Sequence, residues 1–241
     1  MTAAEKFKVT NLLNIASDSL FRGYYSSEKN YQLEDDAPPQ SLLTANCSPL
    51  LSLEQIADEI RACINCPLCE TRTNAAPGEG VTEPLVMVIG EGPGRDEDEQ
   101  GRPFVGRAGQ LLDKMLDSIG LSRNSNCFIA NVIKCRPPNN RDPYPEETSA
   151  CAHFLEQQIA LLKPKFILVA GRIAAQTLLK TTEPIGKLRG KFTEFETGGM
   201  TIPLLVIYHP AALLRNEDLK RPTWEDLKLL RSRLDESKGK N

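Results

Sequence analysis

The 241-residue sequence is nearly balanced in charge and poor in histidine. Its 29 Lys and Arg stand against 32 Asp and Glu, a formal net charge of −3. That excludes a globally basic nucleic-acid binder and confines any such contact to a local patch. No apolar run approaches the roughly eighteen residues that a membrane span requires. No charged-then-apolar segment opens the chain, so no signal peptide is expected. Its glycine-rich turn is not followed by Gly-Lys-Ser/Thr, which excludes a P-loop, nor does it match the dinucleotide fingerprint. There is no internal repeat. A cytoplasmic protein without membrane contact is the resulting expectation, with His153 and His209 its only imidazoles.

What the chain does have is cysteine. Seven cysteines, an odd number without a secretion signal, favour metal ligation or free thiols over disulfides. Cys63 and Cys66 form C-x2-C, and Cys135 and Cys151 bracket fifteen residues further on. Four thiolates from two separated segments suit Zn²⁺ or an iron–sulfur cluster. Cys47, Cys69 and Cys127 are surplus to such a set. Because Cys66 and Cys69 form a second C-x2-C, spacing alone leaves the ligand set ambiguous.

Hydrophobic patterning predicts an α/β fold. Met1–Leu50 shows no sustained periodicity and reads as a poorly ordered N-terminal extension ahead of one domain spanning 51–241. Ser52-Leu53-Glu54-Gln55 offers a capping box for a helix through about Ala62. Short apolar runs at Leu85–Ile89, Cys127–Ile133, Phe166–Ala170 and Leu204–Tyr208 read as buried strands. Helical patterns follow at Ala108–Ile119, Pro145–Leu162, Ile173–Leu179 and Trp224–Leu234. The alternation predicts a three-layer α/β/α sandwich around a mostly parallel, four-stranded central sheet.

Ligands bind such sheets at the carboxyl ends of the strands. The polar motifs fall there: Gly90-Glu91-Gly92-Pro93-Gly94 after the first strand, Asn131 at the end of the second, His209-Pro210 after the fourth. Glycines let the first loop approach a ligand closely, though a plain tight turn accounts for them equally well. Glu91, Glu97 and Asp98 could bring negative charge to a reacting centre; a solvated acidic loop is the alternative, favoured for Asp96 and Glu99. Phe104, between two glycine turns, could stack on a planar ring or simply fill the core. Asn131 carries the donor and acceptor needed to read an amide edge, or ends a strand. The stretch His209–Asn216 mixes leucines with Arg215, which suits insertion beside a nucleic-acid backbone or a short helix with inward leucines. From Arg136 to Lys191, nine Lys or Arg stand against five Asp or Glu, a modest basic flank.

Taken together, GEGPG-x3-D at Gly90–Asp98, GRPFVG-x-AGQLLD at Gly101–Asp113, N-V-x-KCRPP-x-NR at Asn131–Arg141 and HPAALLRN at His209–Asn216 resemble the family 4 uracil-DNA glycosylases. The resemblance runs over about Leu53–Leu234. It implies a four-stranded parallel sheet, a [4Fe–4S] cluster and excision of uracil from single- or double-stranded DNA by a monomer. Carried over position by position, it makes Cys63, Cys66, Cys135 and Cys151 the cluster ligands, and it sets Cys69 aside. Phe104 becomes the stacking aromatic, Asn131 the uracil reader and His209 the active-site histidine. Glu91 is its first-motif acid, with Gly92 beside the base and Glu97 a further acid. Leu213, by analogy with the wider superfamily, would fill the gap left in the duplex, with Arg215, Arg136 and Arg141 on DNA. The segment RDPYPEE at Arg141–Glu147 lacks the reactive histidine of the uracil-crosslinking relatives, which argues against covalent capture. A non-catalytic damage-binding module and a zinc-stabilised protein acting on free nucleotides are the competing classes.

Overall fold

Leu53–Ala62 (α1) starts where the sequence places it, because Ser52 and Gln55 cap each other. The Gln55 N–H donates to Ser52 Oγ at 3.2 Å and the Ser52 N–H to Gln55 Oε1 at 2.7 Å. The computed structural model describes residues 52–238, so the expectation for Met1–Leu50 lies outside the described residues. After the single-turn α2 (Leu68–Thr71) come β1 (Glu79–Gly80), β2 (Val86–Gly90), α3 (Arg95–Gln100), α4 (Arg107–Asp117) and β3 (Cys127–Asn131). The second half runs α5 (Pro145–Leu162), β4 (Phe166–Ala170), α6 (Arg172–Leu179), α7 (Ile185–Leu188), β5 (Phe192–Thr197), β6 (Met200–Ile207), α8 (Pro210–Arg215) and α9 (Lys220–Lys238).

One sheet has the order β1-β3-β2-β4-β6-β5. Its four inner strands are parallel, and these are the four apolar runs of the sequence. β2, β3 and β4 are buried throughout and β6 from Leu204 to Ile207, which is why they read as unbroken hydrophobic stretches. The sheet has six strands, which corrects the expected four. Antiparallel β1 and β5 close its two edges. β1 is only two residues long, and β5 (FTEFET) carries charge on its half-exposed face, so neither forms an apolar run.

Alternation along the strands divides the core. Val86, Val88 and Leu205 pack with Leu112 and Leu116 of α4 and Leu227 and Leu230 of α9. Met87, Ile89 and Val206 pack with Leu155 and Ile159 of α5 and Ala174 of α6. This is the α/β/α sandwich expected. A third cluster joins Ile56 and Ile60 of α1 to Phe154, Cys135 and Cys151. The chain runs from β2 to β3 on one side and then returns to β4 on the other. That reversal opens a crevice beyond the carboxyl ends of β2 and β4. No helix among the described residues is long and apolar enough to cross a membrane.

Candidate active site

The crevice holds a cleft of about 560 Å³, within the range of small-molecule sites. Glu91, Gly92, Glu97, Phe104, Arg141, His209 and Arg215 all line it. Asn131 does not line it but is buried against Gly90. A Cβ built on Gly90 would stand 2.5 Å from both Asn131 Oδ1 and the Phe104 ring. Only glycine leaves room there for the amide and the aromatic together. Asn131 Oδ1 is buried and accepts no hydrogen bond. An orphaned acceptor of this kind normally has a partner, so it points to a ligand donor.

His209 caps α8. Its Nδ1 accepts the Ala211 N–H at 3.1 Å, which assigns the remaining proton to Nε2. Burial, assisted by the nearby Arg215 cation and opposed by Glu97, lowers its pKa to about 4. The ring is therefore neutral across the physiological range, with one N–H to offer. It lies 5.6 Å from the Phe104 ring, centroid to centroid.

Glu91 extends from the loop after β2. Burial, then the charge of Asp142, raises its pKa to about 7, against the opposing effect of Arg172. It stands close to half-ionised at neutral pH, as a general base should. Glu97 is differently placed. Its Oε1 accepts the N–H groups of Val105 and Gly106, both at 2.9 Å, and its Oε2 accepts that of Gly94 at 3.1 Å. Three backbone donors occupy this carboxylate and tie the glycine loop to the Phe104 loop. The acidic stretch that the sequence suggested as a loop is helix α3, and Asp98 within it is buried. Asp98 Oδ1 accepts the Thr73 N–H at 2.9 Å, fastening α3 to the segment that follows α2.

The structure departs from the sequence at Leu213. This side chain is 3% exposed and packs with Leu112 and Leu116 in the core, so it is not free to enter a duplex. Its neighbour Leu214 is 43% exposed. The helical alternative for His209–Asn216 is the one realised, with one leucine inward and one outward. Arg141 is braced: its guanidinium forms two bonds with Glu147, at 2.8 and 2.6 Å, and stacks on Tyr144. Arg136 lines an adjoining cleft together with Arg95 and Arg107. Sequence reasoning passed over these two because they fall outside the basic flank.

The cysteines of the two segments meet. Cys63, Cys66, Cys135 and Cys151 line one cavity, and Cys69 lines it as well. Arg72 Nη1 donates to Cys135 Sγ at 2.9 Å, and buried Lys134 donates to the Asn131 carbonyl at 2.9 Å and to Gln158 Oε1 at 2.8 Å. Burial pushes the Cys151 thiol up to about 11, against the lowering effect of Lys134. Among the described residues, no three His, Cys, Asp or Glu side chains are arranged to hold a metal ion. A sulfur-lined cavity fed by two chain segments has the donor chemistry that thiophilic metal centres use.

Comparison with known proteins agrees with the geometry. The profile of the Uracil DNA glycosylase superfamily matches residues 77–228. A type-4 uracil-DNA glycosylase of Pyrobaculum aerophilum is 45% identical over 181 residues, covering 73% of this chain and 92% of the relative. That of Archaeoglobus fulgidus is 44% identical over 181 residues, covering 73% of this chain and 90% of its own length. The type-4 enzyme of Thermotoga maritima is 42% identical over 183 residues, 75% of this chain and 93% of the relative. A cleft lined by glycines, a neutral histidine and an aromatic ring, with an unpaired amide acceptor buried beside it, together with these likenesses, identifies the chain as a member of the uracil-DNA glycosylase superfamily, among its type-4 enzymes.

Proposed function

We infer that the chain excises uracil from DNA by hydrolysing the N-glycosidic bond and leaving an abasic site, with the base bound between Phe104, Asn131 and His209. The unpaired Asn131 Oδ1 carries this reading. Uracil supplies the missing donor at N3–H, and the Asn131 amide group reaches O4. Thymine differs from uracil by a methyl group and cytosine by its donor pattern, so a closed pocket with a fixed amide selects against both. The target nucleotide must first leave the helical stack, at a cost of a few kcal/mol. Phe104 returns part of that cost by stacking on the extruded ring.

As the glycosidic bond breaks, the sugar gains positive charge and the uracil gains negative charge. His209 Nε2–H donates to the developing charge on O2, a preorganised dipole in a site poor in water. Glu91 in its carboxylate form orients water towards the anomeric carbon and offsets the charge on the sugar. Glu97 holds both loops in register instead of touching the reacting atoms. Arg136, with Arg95 and Arg107, provides the path of the backbone phosphates, and Arg215 stands at the cleft rim.

Cys63, Cys66, Cys135 and Cys151 would hold a [4Fe–4S] cluster, which supplies a cross-link between the two chain segments and no redox step. Arg136–Arg141 lies between two of these ligands, so loading of the site sets the loop that faces DNA. Release of free uracil from a single-uracil oligonucleotide, with His209→Ala as control, tests the whole reading. Release abolished or sharply slowed in the control is expected. DNA binding without release by a folded, brown sample would replace it with the damage-binding alternative.

A further inference from the structure

Phe104 holds a backbone conformation that a phenylalanine adopts only under constraint. Its φ is +53°, in the left-handed region. Such a residue persists only where its surroundings over-determine it. Here they do so from three sides. Arg123 Nη1 donates to the Pro103 carbonyl at 3.0 Å and Nη2 to the Phe104 carbonyl at 2.8 Å. Glu97 holds the N–H groups of the next two residues. Gly109 of α4 lies directly beneath, where any Cβ would overlap the Phe104 carbonyl.

Arg123 is an unusual side chain to find so placed. It is 8% exposed, although Ser122-Arg123-Asn124 reads as an ordinary polar loop. Asp113 Oδ1 fixes the far side of its guanidinium, accepting from Nε at 3.0 Å and Nη2 at 2.9 Å. Glu79 Oε2 is 3.6 Å from Nη1. A planar guanidinium holds two successive carbonyls and a carboxylate in one fixed plane, a rigidity that a rotating ammonium lacks. Nothing in the chemistry assigned above uses this residue.

We propose that Arg123 is a positioning residue for excision: by clamping the Pro103 and Phe104 carbonyls, it aims the Phe104 ring at the base held by Asn131 and His209. The proposal rests on the stacking role given to Phe104. It places the control of base binding in a side chain that never touches the substrate.

A double-mutant cycle of Arg123→Gln and Phe104→Ala separates this from a role in stability alone. kcat and KM on a single-uracil oligonucleotide and the thermal midpoint are read for all four proteins. With Phe104 present, Arg123→Gln is expected to lower kcat/KM by about 10- to 100-fold, the scale of a misplaced positioning group. With Phe104→Ala it should cost less than about twofold, while the loss of thermal stability recurs in both backgrounds. Equal losses of activity in both backgrounds would overturn the proposal and leave the stacking role intact. If Phe104→Ala alone left excision unchanged, the stacking role itself would fall. Should Arg123→Gln not fold, Asp113→Asn takes its place in the cycle. It removes the charge of the outer anchor while keeping an acceptor oxygen there, and a smaller loss confined to the Phe104 background is expected; an equal loss in both would again refute the clamp.

Discussion

His209 and Phe104 lie 5.6 Å apart, ring centroid to centroid, with their planes tilted by 31°. In the proposed complex one addresses the edge of the base and the other its face. Their proximity makes stacking and charge stabilisation parts of one geometry, so displacement of either ring reaches the other.

Because His209 is held neutral, its titration should be absent from the rate profile at ordinary pH. We expect no change in kcat attributable to this residue between pH 5 and 8, since its folded pKa is about 4. His209→Ala should lower kcat by about 10²- to 10³-fold, the usual cost of one preorganised donor. The sign for stability follows from the unfolded value near 6.5. The unfolded chain binds the proton first, so stability contributed by this group is present above that pH and is lost as pH falls towards 4. Thermal midpoints measured from pH 7 down to 4.5 for wild type and His209→Ala test this. A wild-type midpoint no more acid-sensitive than that of the variant would contradict it.

Glu91 should supply the titration that is seen. With its pKa at about 7, kcat/KM is expected to rise between pH 6 and 8 as the carboxylate forms. Glu91→Gln should remove that limb and cost about 10²- to 10⁴-fold. Asp142 raises this pKa and Arg172 lowers it, so Asp142→Asn should move the midpoint to lower pH and Arg172→Gln to higher pH. Midpoints that stay fixed in both variants would remove Glu91 from the profile. For stability the sign is opposite to that of His209: the contribution is present at low pH and lost as pH rises through 7.

The two leucines of α8 should separate cleanly. Leu213→Ala is expected to destabilise the fold by about 2–5 kcal/mol, as buried leucines do. Leu214→Ala should leave stability within about 0.5 kcal/mol and lower excision from duplex DNA more than from single strands. Thermal unfolding and paired excision assays on both substrates decide it. A duplex defect in Leu213→Ala alone, with unchanged stability, would reverse the assignment.

Cys135→Ala removes a sulfur and leaves Arg72 Nη1 without its acceptor, while Nη2 keeps the Arg61 carbonyl. We expect lower iron and labile sulfide per chain, a reduced thermal midpoint and weaker DNA binding. Iron analysis and binding isotherms, measured on the folded fraction, check each separately. Full iron content in this variant would exclude Cys135 as a ligand, and a matching test on Cys69 completes the set.

The inner sheet was legible because strands buried on both faces must be apolar throughout, and LVMVI or FILVA leave no other reading. The edges were not, since an edge strand such as β5 keeps its charges. α3 is short and almost wholly charged, so it offers no apolar period to read. Residues expected in the site from Glu91 to His209 do line one cleft or border its floor: Glu91, Asn131 and His209 sit at strand ends of one sheet, and Glu97 and Phe104 follow the first of these strands in the chain. What sequence could not show was how side chains are used at a distance. Glu97 serves three N–H groups in two loops, Leu213 points inward where Leu214 does not, and Arg123 reaches nearly twenty residues back in the chain. These depend on contacts between segments, which residue spacing does not encode.

The cap that His209 places on α8 has a kinetic meaning. Its Nδ1 cannot take a proton or exchange tautomers without uncapping the helix, so the imidazole is a stationary dipole and no relay. On the proposed reading the base departs as an anion, stabilised where it lies, without awaiting proton transfer from the protein. Any solvent isotope effect on the chemical step is then expected to arise at the water that Glu91 is proposed to orient.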